Sequence, residues 1–218
     1  MADLRLYAIG IDEVRRMYGA DDDSEPVFRD ILATAFAPPA PPKAPGLLGR
    51  IGPLFKRDPY APVVNPSNPT PEDVDAFLDG ESIDPDRVPA AWRILETLVH
   101  GRAWGSIRLP MTPQQVDDVD FALARGGVSA AVGLRHLFQS ATEINLVPAQ
   151  GLRVGWHDNG RALAMADAYR SALTEIDTTE QQEMIAGLVT WMDGFPHWAE
   201  VAREQHRAVP DLVGFWVS

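Results

Sequence analysis

The stretch LRLYAIGI, residues 4–11, decides the fold of this 218-residue chain. Leu4, Leu6 and Ala8 alternate with residues of different character, which is typical of a short strand. The other end of the chain, PDLVGFWVS at residues 210–218, also has the pattern of a strand. Terminal strands with apolar side chains are usually held in a sheet, so we expect the two ends to pair with each other.

Most of the sequence between these strands has helical periodicity. Three segments start with a threonine that can cap a helix, Thr70, Thr112 and Thr178. The apolar spacing after each threonine differs, so we interpret them as helix starts and not as copies of a repeat. VSAAVGLRHLFQSA, residues 128–141, is predicted to be one buried helix. The chain is therefore predicted to be α+β: a mainly helical single domain with a small sheet that includes the N- and C-terminal strands.

A proline-rich segment, residues 37–71, interrupts the helical pattern. Proline disfavours helix, and the segment also carries large apolar side chains that a purely flexible linker seldom has. We expect an ordered or semi-ordered excursion whose middle part docks on the domain. Apolar anchors surrounded by charge are typical of protein interfaces. The candidate partner-binding residues are Arg50, Leu54, Phe55, Lys56, Arg57 and Tyr60.

The charge balance limits the classes of partner. The chain has 31 acidic and 19 basic residues, a formal net charge of −12 and a pI of about 4.7. Such a surface repels phosphate backbones, so no nucleic-acid partner is expected, and it favours a basic protein.

Composition also excludes several kinds of chemistry. The chain has no cysteine, which excludes disulfides, thiolate zinc sites and cysteine nucleophiles. No histidine pair has the spacing of a helical metal site, so neither a metal nor a cofactor is expected. No signal-peptide pattern and no apolar run of ~20 residues is present, which predicts a cytoplasmic protein without a membrane segment.

The stretch GWHDNG, residues 155–160, is the most suggestive candidate for catalysis. His157 and Asp158 could supply an acid–base group beside a helix N-terminus, with Arg153 or Arg161 nearby. The same residues also fit a strand end followed by a turn, with Asp158 or Asn159 as the helix N-cap. We therefore assign no catalytic residue, and keep a small-molecule hydrolase that uses His157, Asp158 and Arg161 as the alternative.

Three pieces of the chain carry a resemblance: LYAIGIDEVRRMYG, AWRILETLVHG and VPDLVGFWVS. They resemble pieces of uncharacterised bacterial domain families seen in actinobacteria. The resemblance implies an opening strand followed by an Ile-Asp helix, and a closing strand with the pattern Pro-Asp…Val-Gly-x-Trp. It implies no established activity and assigns no catalytic residue.

These features predict a non-enzymatic, acidic, cytoplasmic protein-binding module of an immunity or regulatory type. Its expected partner is a basic protein, because the chain itself is strongly acidic. A homodimer formed through the proline-rich segment stays open as a further option.

Overall fold

The first and last strands of the chain lie side by side in the middle of a four-stranded antiparallel sheet. The structure, a computed structural model, describes residues 2–37 and 65–217. The sheet order is β2-β1-β4-β3, and β1 pairs with β4 along its whole length. The strands are β1 (Asp3–Ile9), β2 (Gly105–Leu109), β3 (Leu152–His157) and β4 (Asp211–Val217). The predicted pairing of the two ends is confirmed.

Helices account for most of the remaining described chain. The described residues contain nine: α1 (Ile11–Arg15), α2 (Glu25–Ala35), α3 (Pro71–Leu78), α4 (Val88–Arg102), α5 (Pro113–Arg125), α6 (Leu134–Leu137), α7 (Asn159–Ala172), α8 (Thr179–Met192) and α9 (Phe195–Glu204). None of them is long and apolar enough to cross a membrane.

The sheet separates two hydrophobic cores, because successive side chains of a strand point to opposite faces. Leu4 and Leu6 pack in a core with residues of α5, α7 and α8. Tyr7 and Ile9 pack in a second core with residues of α1, α2, α3 and α4. The central strands are therefore covered on both faces, in a three-layer arrangement of helices, sheet and helices. The predicted mainly helical α+β domain is confirmed.

The three capping threonines all stand immediately before helices. Thr70 Oγ1 accepts a hydrogen bond from the Asp73 backbone N at 3.3 Å, and the Asp73 carboxylate accepts one from the Thr70 backbone N. Thr112 and Gln115 form the same reciprocal capping box. Thr178 precedes α8 but makes no side-chain capping hydrogen bond. The prediction of helix starts is correct at all three positions.

The segment predicted as one helix at residues 128–141 is broken, and that prediction is wrong. A three-residue 3-10 turn is followed by the four-residue α6, with Gly133 extended between them. The Asp120 carboxylate accepts hydrogen bonds from the backbone N of Leu134 at 2.7 Å and of Arg135 at 3.0 Å. This carboxylate satisfies amides that a continuous helix would have bonded internally.

Candidate functional site

The six residues predicted to bind a partner lie outside the described residues. They are Arg50, Leu54, Phe55, Lys56, Arg57 and Tyr60. Their role stays a prediction from sequence. The described chain stops at Ala37 and resumes at Asn65, close to α2 on one side and to α3 on the other.

His157 is the last residue of β3, and its side chain points into the core. The residue is only 2% exposed, and its Nε2 has no hydrogen-bond partner among the described residues. Its ring centroid lies 5.7 Å from that of His136. Burial, reinforced by the charges of Arg161 and His136, lowers the pKa of His157 to about 4. The imidazole is thus neutral near pH 7 and shielded from solvent.

Asp158 and Arg161 do not share a cavity with the His157 imidazole. The Asp158 carboxylate is exposed and caps α7 by accepting a hydrogen bond from the Arg161 backbone N at 2.8 Å. The Arg161 guanidinium donates to the Ala131 carbonyl oxygen at 2.6 Å and lies 3.3 Å from Nδ1 of His136. These three candidate residues therefore do not face a common substrate space.

No cluster suited to holding a metal ion is found in residues 2–37 and 65–217.

The densest concentration of charge lies on α2, α3 and their adjoining loops. We call residues 20–37 and 70–87 the acidic face. It contains two arginines, Arg29 and Arg87, and twelve carboxylates, which gives a net charge of −10. The carboxylates are Asp21, Asp22, Asp23, Glu25, Asp30, Glu72, Asp73, Asp75, Asp79, Glu81, Asp84 and Asp86. These two stretches therefore account for −10 of the chain's formal net charge of −12, and α2 packs against α3.

Both arginines of the acidic face are engaged within it. Arg29 donates to Glu25 and to Asp75 at 2.6 Å each, and so joins α2 to α3. Arg87 donates to both carboxylate oxygens of Asp73. With both arginines engaged, several exposed carboxylates have no hydrogen-bond or ion-pair partner among the described residues. They include Asp22, Asp30, Glu72 and Asp79.

An apolar groove of about 390 Å³ runs between α2 and α3 within the acidic face. Its lining includes Leu32, Ala33, Phe36, Pro69 and Val74. Arg29 and Asp75 also line it, so charge stands next to the apolar surface. The volume is within the range of pockets that hold a small ligand or a few side chains.

Sequence reasoning missed the acidic face. The second acidic run begins at Glu72, more than 40 residues after Asp30, and only the packing of α3 beside α2 brings the two together. The signal was present in the sequence as two acidic runs on either side of the proline-rich segment.

Comparison with known proteins places the chain in one family. A family model described as a domain of unknown function (DUF7691) matches residues 1–217. No curated protein and no solved structure matches the chain. The match confirms the expected likeness to an uncharacterised domain, and the actinobacterial origin stays a prediction.

Proposed function

The chain belongs to the DUF7691 family, and on that premise we propose that it is a non-enzymatic protein-binding module whose acidic face binds a basic segment of a partner protein. One observation carries the proposal. The acidic face has twelve carboxylates, and its own two arginines are both held in internal ion pairs. The remaining negative charge is left for a cationic partner.

The groove gives this surface a means of specificity. Charge complementarity mainly raises the association rate and excludes partners of the wrong sign, whereas affinity is concentrated in a few buried anchors. A partner segment with an aromatic or aliphatic side chain between basic residues would place that side chain between Leu32 and Val74. Its basic residues would then meet the carboxylates around the groove.

The geometry at His157 supports a binding role over the hydrolase alternative. A general base must reach the proton that it removes, directly or through one water. The His157 imidazole is buried and Asp158 is occupied as a helix cap. A role in masking the basic surface of a partner, as an immunity or regulatory protein would do, requires no reacting group.

The test compares two full-length variants of equal charge. In the first, four unpaired carboxylates of the acidic face are neutralised: Asp22→Asn, Asp30→Asn, Glu72→Gln and Asp79→Asn. In the control, four exposed carboxylates on α8 and α9 are neutralised: Glu180→Gln, Glu183→Gln, Glu200→Gln and Glu204→Gln. Both variants gain the same four units of charge, so only the location of the change differs.

The probe is the hexapeptide Lys-Arg-Phe-Leu-Arg-Lys, measured by calorimetry at low and at physiological salt. We expect the acidic-face variant to bind about tenfold more weakly than the wild type, and the control variant to bind like the wild type. Replacing Phe-Leu by Ser-Ser in the peptide should also weaken binding, because it removes the anchor for the groove. Equal loss in both variants would overturn the proposal, since binding would then follow net charge alone.

A second measurement uses the same variants as baits in cells of the native host. A partner retained by the wild type and the control, but lost by the acidic-face variant, would support the proposal. A partner captured equally by all three proteins would place the interface elsewhere.

A further inference from the structure

A second cavity, of about 240 Å³, lies beside the first turn of α2 and has a different lining. It is lined by residues of α1, of the start of α2, of the end of α4, and of the connection between α9 and β4. We call it the cationic pocket after the three arginines that line it, Arg16, Arg102 and Arg207; His206 also lines it. Glu13 and Asp23 are the carboxylates that line it.

Arg207 is fixed in the wall of the cationic pocket. Its Nη2 donates to Glu13 Oε2 and to the backbone oxygen of Arg102, each at 2.7 Å. Its guanidinium carbon lies 4.3 Å from the ring centroid of Trp104. These contacts hold the guanidinium in one orientation, yet its Nε and Glu13 Oε1 are both buried without a hydrogen-bond partner among the described residues.

Arg102 lines the same pocket as the Arg207–Glu13 ion pair, and its own side chain is unpaired among the described residues. Its side chain is half-buried, and it makes no hydrogen bond or ion pair with any described residue. Burial, followed by the neighbouring charge of Arg207, lowers the pKa of Arg102, and Glu13 offsets this only in part. A partly desolvated guanidinium without a hydrogen-bonded counter-charge is costly to the folded protein. Such a group is expected where a ligand supplies the missing charge.

His206, which lines the cationic pocket, has an unusual backbone conformation. It has a φ of 54°, in the left-handed region that favours glycine. It follows the end of α9, where its N bonds to the Arg203 oxygen at 3.2 Å and the next amide, of Arg207, bonds to the Ala202 oxygen at 2.9 Å. A glycine at this helix C-terminus would adopt the same conformation without strain. The histidine instead supplies an imidazole to the lining of the pocket.

We propose that the cationic pocket binds a small molecule through an oxyanion group, phosphate or carboxylate, held by Arg102 and Arg207. A guanidinium presents its N–H donors in a planar fork that matches both groups. The three arginines of the lining exceed its two carboxylates, which gives local positive charge in a chain of net charge −12. The volume is below that of pockets for drug-sized ligands, so the ligand is small.

This proposal does not depend on the function proposed for the acidic face, although Asp23 of that face also lines the pocket. Glu13 already neutralises part of Arg207, so Arg102 is the cation that a bound oxyanion would pair with most directly. Arg102→Gln breaks no hydrogen bond or ion pair with the described residues, because the Arg102 side chain makes none there.

The experiment measures thermal unfolding and calorimetric binding of the full chain with inorganic phosphate, with acetate and with chloride, all at one ionic strength. Binding at a concentration about tenfold above the dissociation constant should raise the midpoint by roughly 3 °C. Arg102→Gln should abolish the rise. Arg125→Gln is the matched control, because Arg125 forms an exposed pair with Asp177 far from the pocket, and it should keep the rise.

The two oxyanions distinguish the two ligand classes. A response to phosphate alone assigns a phosphate group, and a response to acetate alone or to both assigns a carboxylate or a site that accepts either. A midpoint that is the same in phosphate, acetate and chloride overturns the proposal. So does an equal rise in wild type and in Arg102→Gln.

Discussion

Oδ2 of Asp211 accepts a hydrogen bond of 2.8 Å from the backbone N of Ile11, which is the first residue of α1. Oδ1 of the same carboxylate accepts one of 3.1 Å from the backbone N of Asn159, the first residue of α7. Helix α1 lies on one face of the sheet and α7 on the other. One side chain at the start of β4 therefore caps a helix in each layer and ties both to the central strand.

Replacing Asp211 by alanine should lower the free energy of unfolding by about 1–3 kcal/mol, because two first-turn amides lose their acceptor in a partly buried place. Urea denaturation monitored by circular dichroism measures the change. Asp79→Ala is the control: Asp79 is exposed and its carboxylate makes no hydrogen bond with the described residues, so the variant should stay within about 0.5 kcal/mol of the wild type. A loss for Asp211→Ala no larger than that of the control would contradict the bridging role.

Gly155 and Gly187 form a matched pair for testing how closely the end of α6 packs on the sheet. A Cβ at Gly155 would overlap the carbonyl group of Leu137, and Gly155 lies opposite Gly214, where a Cβ would meet the Leu137 side chain. A Cβ at Gly187, in α8, would meet nothing within 4 Å. The chain at the end of α6 thus approaches β3 and β4 closely only because two side chains are missing there.

Gly155→Ala should destabilise the protein by about 3 kcal/mol, since backbone atoms must move to make room. Gly187→Ala should stabilise it by about 0.5–1 kcal/mol, because alanine favours the helix and restricts the unfolded chain. The shift of the thermal unfolding midpoint of each variant gives the sign of its change in stability. A Gly155→Ala variant as stable as the wild type would show that the close approach at Gly155 is not a constraint.

The capping threonines allow a comparison within one chain. Thr112 Oγ1 accepts from the Gln115 backbone N at 3.3 Å, whereas Thr178 makes no such bond. Thr112→Ala should therefore cost about 1 kcal/mol of unfolding free energy, and Thr178→Ala a few tenths at most. Chemical denaturation resolves this difference. Equal costs would mean that the threonine preference at these starts does not arise from the hydrogen bond.

Local patterns in the sequence were sufficient to predict the two terminal strands of the chain and the helix starts. Strand alternation identified β1, and the capping threonines Thr70 and Thr112 identified the starts of α3 and α5. The break at Gly133 escaped prediction, because it depends on a carboxylate from Asp120 that arrives from another helix. A helical pattern contains no information about an acceptor supplied from elsewhere in the fold.

The candidate sites were harder to predict for the same reason. The acidic face needs α3 to pack beside α2, and the cationic pocket brings Arg102 to Arg207 across more than 100 residues of sequence. His157 shows the converse: its neighbours in sequence suggested catalysis, but the alternation of β3 turns its side chain into the core and leaves Asp158 outside. Residues adjacent in sequence at a strand end need not share a site.

His157 should make the protein sensitive to acid between pH 6.5 and 4. The pKa of its imidazole is about 4 in the folded protein, lowered first by burial and then by Arg161 and His136, against 6.5 for the free side chain. Below pH 6.5 the unfolded chain gains a proton that the folded chain cannot accept until about pH 4. Stability is therefore fully present above pH 6.5 and falls as the pH drops, by roughly 3 kcal/mol in all.

The variant His157→Leu removes this titrating group, so the part of the pH dependence that belongs to it should disappear. Urea midpoints measured at half-unit steps from pH 7 to pH 4 test this, with His197→Gln as the control because His197 is exposed on α9. We expect the control to follow the wild type and His157→Leu to give a flatter profile over this range. If His157→Leu kept the same slope as the wild type, the acid sensitivity would have to come from other groups, and the burial of a neutral imidazole would not be its cause.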